Sequence, residues 1–222
     1  MTIHVNSIDI YYEKTGSGPP VILLHGNGET HKIFRVAMER LAEKYTVYAI
    51  DSRHHGKSGK VKALHYADMA EDVAQFIAAL GLERPALYGF SDGGIVGLLL
   101  AVHYPGLLSR LAVSGANTFP RGVKGGMFLL LRALYFTTRM TRWKLMLDEP
   151  DITGEQLGDI DIPVLVLAGE KDVIRDEHTR AIARAIPGAR LRILPGESHG
   201  SYVINSVKLY DIIAPFFEEE IS

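Results

Sequence analysis

The sequence contains no cysteine, and that absence removes several classes of function at once. Without thiols the chain has no disulfide framework, no thiolate metal site and no cysteine nucleophile. A chain without cysteine suits a reducing compartment, and we expect a cytoplasmic protein. An excess of positive charge is missing as well, since 24 Lys+Arg oppose 26 Asp+Glu for a net charge of −2. Nucleic-acid binding driven by bulk charge is therefore not expected.

Long hydrophobic runs are also missing from the sequence. The longest apolar stretches, Ile95 to Val102 and Met127 to Leu131, fall well short of the ~20 residues that cross a bilayer. The first ten residues lack a basic start followed by an apolar run, so no secretory signal is visible. We therefore expect no stable membrane association. The length of 222 residues suits a single domain, residues 1–222, with a full core.

Strand-like and helical patterns alternate from Val21 to the end of the chain. Short runs rich in branched residues, typical of strands buried on both faces, alternate with stretches whose apolar residues recur at helical spacing. The strand-like runs are VILLHG, TVYAID, PALYGF, RLAVSGA, PVLVLAG and ARLRILP. Residues 2–14 predict a β-hairpin that precedes them. The alternation predicts a mostly parallel sheet with helices on both faces.

One stretch, from about residue 117 to 159, breaks this alternation. It contains one helical segment, from about Gly126 to Leu147, and we interpret it as a short cap inserted over the strand ends. No Asp or Glu occurs between Gly93 and Leu147, whereas seven basic residues do: Arg110, Arg121, Lys124, Arg132, Arg139, Arg142 and Lys144. A positive cap favours neutral or anionic substrates. A second role for a basic cap helix is transient contact with lipid, which we rank last.

Two segments match the pattern G-x-S-x-G, namely Gly89 to Gly93 and Gly196 to Gly200. In the first, a buried strand leads into Ser91 and a helix of small and apolar residues follows at once, which is the context that this strained turn requires. In the second, Ser198 has no histidine beyond residue 199 to serve as its base. The sequence therefore predicts Ser91 as the nucleophile.

Candidates for the acid and the base follow later strands. GEKD comes directly after PVLVLAG and offers Glu170 and Asp172. We favour Asp172, whose plain alternative role is a turn residue that caps the next helix. His199 follows the last strand and is the predicted base, because the chain order Ser, Asp, His is then preserved. A lone loop histidine would otherwise be a solvated surface residue.

The remaining predicted site residues would stabilise an oxyanion. HGNG ends the first parallel strand, and we expect the backbone N–H groups of Asn27 and Asp92 to be the two donors. The Asp92 side chain has two interpretations: it is stabilised by the helix dipole, or it binds a substrate amino group. No cofactor and no metal are predicted, and we treat the histidines of the following loops as structural: His54, His55 and His65.

Taken together, these motifs resemble the α/β-hydrolase family. HGNG, DSRHHGKS, GFSDG, GEKD and ESHG occur in the family's order at strand ends, and the resemblance spans about Ile8 to Phe217. It implies an eight-stranded sheet with its second strand antiparallel and a Ser-His-Asp triad. The chain looks like the small bacterial hydrolases with a short cap, and its Ser-Asp-Gly-Gly elbow is similar to that of valacyclovir-hydrolase-like enzymes. The family usually has glycine where His54 stands, so an altered turn is expected there.

The function implied is hydrolysis of a small carboxylic ester, or a related acyl compound, through an acyl-enzyme intermediate. A serine nucleophile argues against epoxide and haloalkane hydrolysis, which use a carboxylate. Carbon–carbon hydrolysis and perhydrolysis remain open. Two further alternatives are an aminoacyl-ester hydrolase or aminopeptidase that uses Asp92, and a non-catalytic binding module of the same fold. The expected partner is a small molecule, and the oligomeric state is left open.

Overall fold

An eight-stranded, mostly parallel sheet forms the centre of the protein. The computed structural model describes residues 1–219, so the last three residues of the predicted domain lie outside the described residues. The strands are β1 (Thr2–Val5), β2 (Ile8–Thr15), β3 (Pro20–Leu24), β4 (Thr46–Ile50), β5 (Ala86–Phe90), β6 (Arg110–Ser114), β7 (Val164–Lys171) and β8 (Arg190–Ser198).

The strands lie in the order β1-β2-β4-β3-β5-β6-β7-β8. Strands β1 and β2 form the predicted hairpin, and β2 pairs antiparallel with β4. Every later pair in the sheet is parallel. The predicted fold class is therefore confirmed, including the antiparallel second strand that the family resemblance implied.

Helices cover both faces of this sheet. The helices of the described chain are α1 (Arg35–Leu41), α2 (Tyr66–Ala79), α3 (Asp92–His103), α4 (Gly125–Thr138), α5 (Thr141–Asp148), α6 (Gly154–Gly158), α7 (Asp176–Ala185) and α8 (Val207–Glu218). Of these, α4 and α5 belong to the cap and not to a face of the sheet. The last helix starts later than the predicted Tyr202, because Tyr202 and Val203 are buried within turns that precede it. No helix within residues 1–219 has the length and apolar character needed to cross a membrane.

Alternate side chains of the strands enter two separate cores, because successive strand residues point to opposite faces. Ile22 and Leu24 share one core with α2 and α3. Val21 and Leu23 share the other with α1 and α8. All four side chains are at most 1% exposed. A strand covered on both faces has to be apolar throughout, which explains the uninterrupted apolar run in VILLHG.

The cap between β6 and β7 consists of separate short helices. The sequence predicted one helical segment over residues 126–147, but α4 and α5 divide at Arg139, whose left-handed backbone (φ +55°) ends α4. Helix α6 follows and begins with a capping box formed by Thr153 and Gln156. A β-bridge between Val123 and Ile174 ties the start of the cap to the loop after β7.

Candidate active site

Ser91 lies on a strained turn between β5 and α3. Its φ of +52° is uncommon for a residue with a side chain, and such backbone costs of order 1–3 kcal/mol. The Ser91 N–H donates to the Ser114 carbonyl at 2.7 Å, which holds the turn in place. Gly89 and Gly93 make the turn possible, because a Cβ on Gly89 would overlap the carbonyl of Gly93. The turn presents the Ser91 hydroxyl at the carboxyl edge of the sheet.

Ser91, His199 and Asp172 form one continuous line of hydrogen bonds. The His199 Nε2 lies 3.1 Å from the Ser91 Oγ, and the His199 Nδ1 lies 2.7 Å from the Asp172 Oδ1. Because a carboxylate accepts, Nδ1 carries the proton and Nε2 is free to accept from the serine hydroxyl. The His199 ring also packs on Phe90, with 4.9 Å between ring centroids. The fold thus brings together three predicted residues from distant parts of the sequence.

Asp172 is buried and held as an anion. Its Oδ1 also accepts the Ile174 N–H at 2.9 Å. Burial by itself raises the pKa of Asp172, but the hydrogen bond and charge of His199 and the backbone N–H groups of Ile174 and Gly169 together outweigh it, so this pKa lies below its ordinary value. Glu170 is exposed and accepts the Gly196 N–H at 2.7 Å instead. The geometry therefore favours Asp172 over Glu170 as the partner of His199.

One further serine and one further histidine downstream of Ser91 lie in different surroundings. Ser198 is exposed at the end of β8, and its N–H donates to the Ser201 hydroxyl at 2.8 Å. His178 is buried, and its Nε2 accepts the Thr118 N–H at 3.0 Å. Both residues have local structural partners, and for Ser198 this agrees with the chain-order argument that set it aside.

Two backbone N–H groups near Ser91 are available to an external acceptor. Within residues 1–219, neither the Asn27 N–H nor the Asp92 N–H donates to a protein acceptor. By contrast, the Gly93 N–H donates to the His25 carbonyl at 3.1 Å and the Gly26 N–H donates to Glu29 at 3.0 Å. Asp92 also opens α3, whose N-terminus favours negative charge. The available donors are the two that the sequence predicted.

The side chains of Asn27 and Asp92 link these two donors. The Asn27 Nδ2 donates to the Asp92 Oδ2 at 2.9 Å, and the Tyr66 hydroxyl donates to Oδ1 at 2.8 Å. Burial raises the pKa of Asp92, although both hydrogen bonds oppose that shift. The carboxylate is 1% exposed and lies behind the cavity wall. Of the two interpretations of Asp92, this placement favours a carboxylate held at the start of α3 over one that binds a substrate amino group, because both of its oxygens already have partners.

Ser91 and His199 line a largely apolar cavity of about 350 Å³. Glu29 is the one carboxylate among its described lining residues, and no Lys or Arg lines it. The basic residues of the cap therefore do not line the cavity, which removes direct contact as a way for the positive cap to favour neutral or anionic substrates. Its apolar walls come from the cap and from the loop after β7: Val123, Met127, Leu130, Leu131, Leu134, Trp143, Met146, Val173 and Ile174.

Glu29 is a site residue that sequence reasoning missed. Its Oε2 accepts the Gly26 N–H, and Gly26 lies between this carboxylate and the Ser91 side chain. Burial raises the pKa of Glu29, while the Gly26 hydrogen bond opposes the shift. The one feature of the sequence that could have indicated Glu29 is its position directly after HGNG, in the loop that follows β3. It places a carboxylate in the wall of the cavity that Ser91 and His199 also line.

No group of three or more His, Asp or Glu side chains within residues 1–219 is arranged to hold a metal ion. His55 and His65 instead face the Arg53 carbonyl and the Glu149 carboxylate, at 3.0 and 2.6 Å. His54 adopts φ +67°, the backbone region that a glycine enters easily. The sequence led us to expect an altered turn at His54, but the histidine adopts the left-handed backbone that glycine would provide.

His25 supports the HGNG loop (residues 25–28) as a neutral imidazole. Its Nε2 accepts the Ser52 N–H at 3.1 Å, and its Nδ1 then donates to the Gly26 carbonyl at 2.8 Å. Burial lowers the pKa of His25 to about 4. The folded protein therefore resists protonation of a side chain that protonates near pH 6.5 when unfolded.

We expect the free energy of unfolding to fall as the pH drops from 6.5 to 4. The stability that His25 contributes is complete above pH 6.5 and is lost through this window, by about 3 kcal/mol. Urea unfolding at a series of pH values measures the loss. A His25→Asn variant should lose much of this dependence, while the exposed control His4→Asn should retain it. Equal dependence in the wild type and His25→Asn would contradict the assignment.

The chain is similar in sequence to known hydrolases. A profile described as the alpha/beta hydrolase fold matches residues 19–143, more than half of the chain. Serine hydrolase BPHL of Homo sapiens is 26% identical over 235 residues, covering 90% of this chain and 80% of that protein. AB hydrolase superfamily protein YisY of Bacillus subtilis (strain 168) is 26% identical over 256 residues, covering 94% of this chain and 95% of that protein.

Solved structures show the same fold. The esterase EaEST from Exiguobacterium antarcticum superposes with a TM-score of 0.86 at 22% identity, covering 99% of each chain. The enol-lactonase from Burkholderia xenovorans LB400 superposes with a TM-score of 0.82 at 20% identity, covering 99% of this chain and 100% of that one. The chain therefore belongs to the α/β-hydrolase family. It is a hydrolase of that family, with esterase and lactonase structures among its neighbours in fold.

Proposed function

We propose that this protein is a serine hydrolase that cleaves a small carboxylic ester, or a related acyl compound, through an acyl-enzyme intermediate. The observation that carries the proposal is the line from Ser91 to His199 to Asp172, with separations of 3.1 and 2.7 Å. A hydroxyl, an imidazole and a buried carboxylate in this order supply a nucleophile, a base and the group that orients the base. A cytoplasmic location and the absence of a cofactor are part of this proposal.

Acylation begins when the Ser91 Oγ attacks the ester carbonyl carbon and its proton passes to the His199 Nε2. The carbonyl π electrons move onto oxygen, where the N–H groups of Asn27 and Asp92 stabilise the negative charge. Asp172 stabilises the imidazolium that forms. The intermediate then expels the alcohol, which takes the proton from His199, and the acyl group remains on Ser91.

Deacylation repeats these steps with water as the nucleophile. Water attacks the acyl carbon while the His199 Nε2 accepts one of its protons. The second tetrahedral intermediate expels the Ser91 oxygen, which recovers its proton from His199. The products are a carboxylic acid and the restored hydroxyl, so each turnover consumes one water molecule.

The cavity supports a small, largely apolar substrate. A volume of about 350 Å³ is near the lower end of ligand sites, which span roughly 300–1,000 Å³. Its walls are mostly Leu, Met, Val and Ile side chains, and we propose short acyl groups rather than long lipid chains as substrates. This choice does not depend on the basic residues of the cap, because none of them lines the cavity.

Aminoacyl esters are the second candidate substrate class, and the observation that favours them is the Glu29 carboxylate. A negative charge in a partly desolvated cavity attracts a substrate ammonium and repels a substrate carboxylate. Asp92, the residue that the sequence offered for this role, accepts hydrogen bonds from Asn27 and Tyr66 instead. We therefore propose that Glu29, and not Asp92, sets the response to substrate charge.

A Glu29→Gln variant should shift selectivity between charged substrates. We expect kcat/KM for an ester with a free carboxylate to rise at least ~5-fold relative to a neutral ester, because a 1 kcal/mol repulsion is removed. The ratio for an α-amino ester over its des-amino counterpart should fall by a similar factor. Glutamine can still accept the Gly26 N–H, so the loop keeps its hydrogen bond.

Asp92→Asn provides the matched control for substrate charge. It removes a carboxylate behind the cavity wall, so it should change turnover of all esters together and leave both ratios unchanged. A preference for the α-amino ester that survives Glu29→Gln and disappears in Asp92→Asn would contradict the assignment to Glu29. It would restore Asp92 as the amino-group site.

Active-site labelling tests the proposed function directly. A fluorophosphonate reporter should modify one residue, and mass spectrometry should locate the adduct on Ser91. A panel of chromogenic esters with increasing acyl length then defines the substrate class, and we expect turnover to decline from short to long chains. Failure of both labelling and ester turnover would favour a non-catalytic binding module of the same fold.

A further inference from the structure

The outer face of α4 is apolar and open to solvent. At 100° per residue, Leu129, Ala133 and Phe136 fall on one side of this helix, and Leu130 lies at the edge of that side, next to the cavity that it also lines. The side chains of Leu129, Leu130 and Phe136 are 64%, 50% and 72% exposed. A surface helix of a globular protein normally turns its polar side to water. Within the described part of the chain, no element covers this side of α4.

Two residues that flank α4 in the chain are also large, apolar and exposed. Phe119 precedes α4 and Met140 follows it, and their side chains are 45% and 41% exposed. We use the term cap surface for the following set: Phe119, Leu129, Leu130, Phe136 and Met140. Exposed large apolar residues that cluster in this way mark interaction sites more often than isolated ones do.

Positive charge accompanies the cap surface. Arg121, Arg132 and Arg139 are exposed, and within residues 1–219 none of them forms an ion pair with a carboxylate. The Arg139 guanidinium lies over the Phe136 ring, 5.2 Å from its centroid. No acidic residue occurs between Gly93 and Leu147 to offset these charges. The cap surface is therefore apolar and cationic at once, in a chain whose net charge is −2.

We propose that the cap surface docks reversibly on an anionic lipid bilayer. Leucine and phenylalanine side chains enter the boundary between headgroups and acyl chains, while arginines meet the negative headgroups. This partner fits better than a second copy of the chain, since a cap-to-cap dimer would bring the same arginines face to face. A bilayer also deforms around a convex helix, whereas a protein partner would need a groove that matches α4. The proposal goes beyond ester hydrolysis and develops the transient lipid contact that the sequence left as an alternative, while the expectation of no stable membrane association still holds.

Co-sedimentation with lipid vesicles tests the proposal. Wild-type protein should bind vesicles of phosphatidylcholine with phosphatidylglycerol, bind pure phosphatidylcholine far less, and dissociate as salt screens the charges. Removing Arg132 and Arg139 as alanines should weaken binding about 5-fold for each arginine, because each contributes about 1 kcal/mol near an anionic surface. The double variant Leu129→Ser/Phe136→Ser should abolish binding.

Matched controls separate docking from damage to the enzyme. Neither Leu129 nor Phe136 lines the cavity, so turnover of a soluble ester should be unchanged in that double variant. Val207→Ser removes a similarly exposed apolar residue from α8 and should leave vesicle binding intact. Absence of binding to anionic vesicles, or equal binding to neutral ones, would overturn the proposal. A dimer that Leu129→Ser/Phe136→Ser dissociates would also overturn it and identify a second copy as the partner.

Discussion

A Ser91→Ala variant is expected to lose about 10⁶-fold in kcat toward a small chromogenic ester, because nucleophile, base and acid act as a unit. Alanine removes only the hydroxyl that faces the His199 Nε2 at 3.1 Å. The turn should survive, since its main hydrogen bond uses the Ser91 backbone N–H rather than the side chain. The loss should therefore appear in kcat, while the far-ultraviolet spectrum and unfolding midpoint stay close to wild type.

Ser198→Ala is the matched control for this prediction, because Ser198 is the serine of the second G-x-S-x-G match. It is exposed, its backbone N–H donates to the Ser201 hydroxyl, and its own hydroxyl has no hydrogen-bond partner among residues 1–219. We expect this variant to keep full ester turnover and full fluorophosphonate labelling, whereas Ser91→Ala should lose both. Labelling on Ser198, or undiminished turnover in Ser91→Ala, would show that the nucleophile lies elsewhere.

The parts of the fold that the sequence predicts well are those set by local patterns. The run from Val21 to Leu24 is apolar at every position because both faces of β3 are covered, and such a run predicts a central parallel strand. The chain order Ser, Asp, His predicts the site for a related reason, because the carboxyl ends of parallel strands meet at one edge of the sheet. Three residues that follow β5, β7 and β8 can therefore meet in space.

The features that the sequence did not predict depend on long-range contacts or on backbone geometry. The α4–α5 break occurs at Arg139, a residue type with no preference for left-handed backbone. The orientation of Asp92 depends on Tyr66 and Asn27, which are 26 and 65 residues away in the chain. Glu29 enters the cavity because it binds the nearby Gly26 N–H, a contact that neither periodicity nor a strand-end rule indicates.

The second large effect is expected for Asp172→Asn, which should lower kcat by about 10⁴-fold through its effect on His199. An asparagine amide can occupy this site in two orientations. If its oxygen faces the His199 Nδ1 and the Ile174 N–H, the hydrogen bonds persist but the negative charge that stabilises the imidazolium is gone. If its NH₂ group faces Nδ1, the ring proton moves to Nε2, which then cannot accept the proton of Ser91.

Glu170→Gln distinguishes this mechanism from a general loss of negative charge after β7. Glu170 is exposed, and glutamine can still accept the Gly196 N–H, so we expect its kcat to remain near wild type. Steady-state kinetics of both variants on one ester, with unfolding midpoints measured in parallel, give the comparison. A severe effect of Glu170→Gln with a mild effect of Asp172→Asn would assign the acid to Glu170. The 2.7 Å contact between Asp172 and His199 makes the opposite result the expected one.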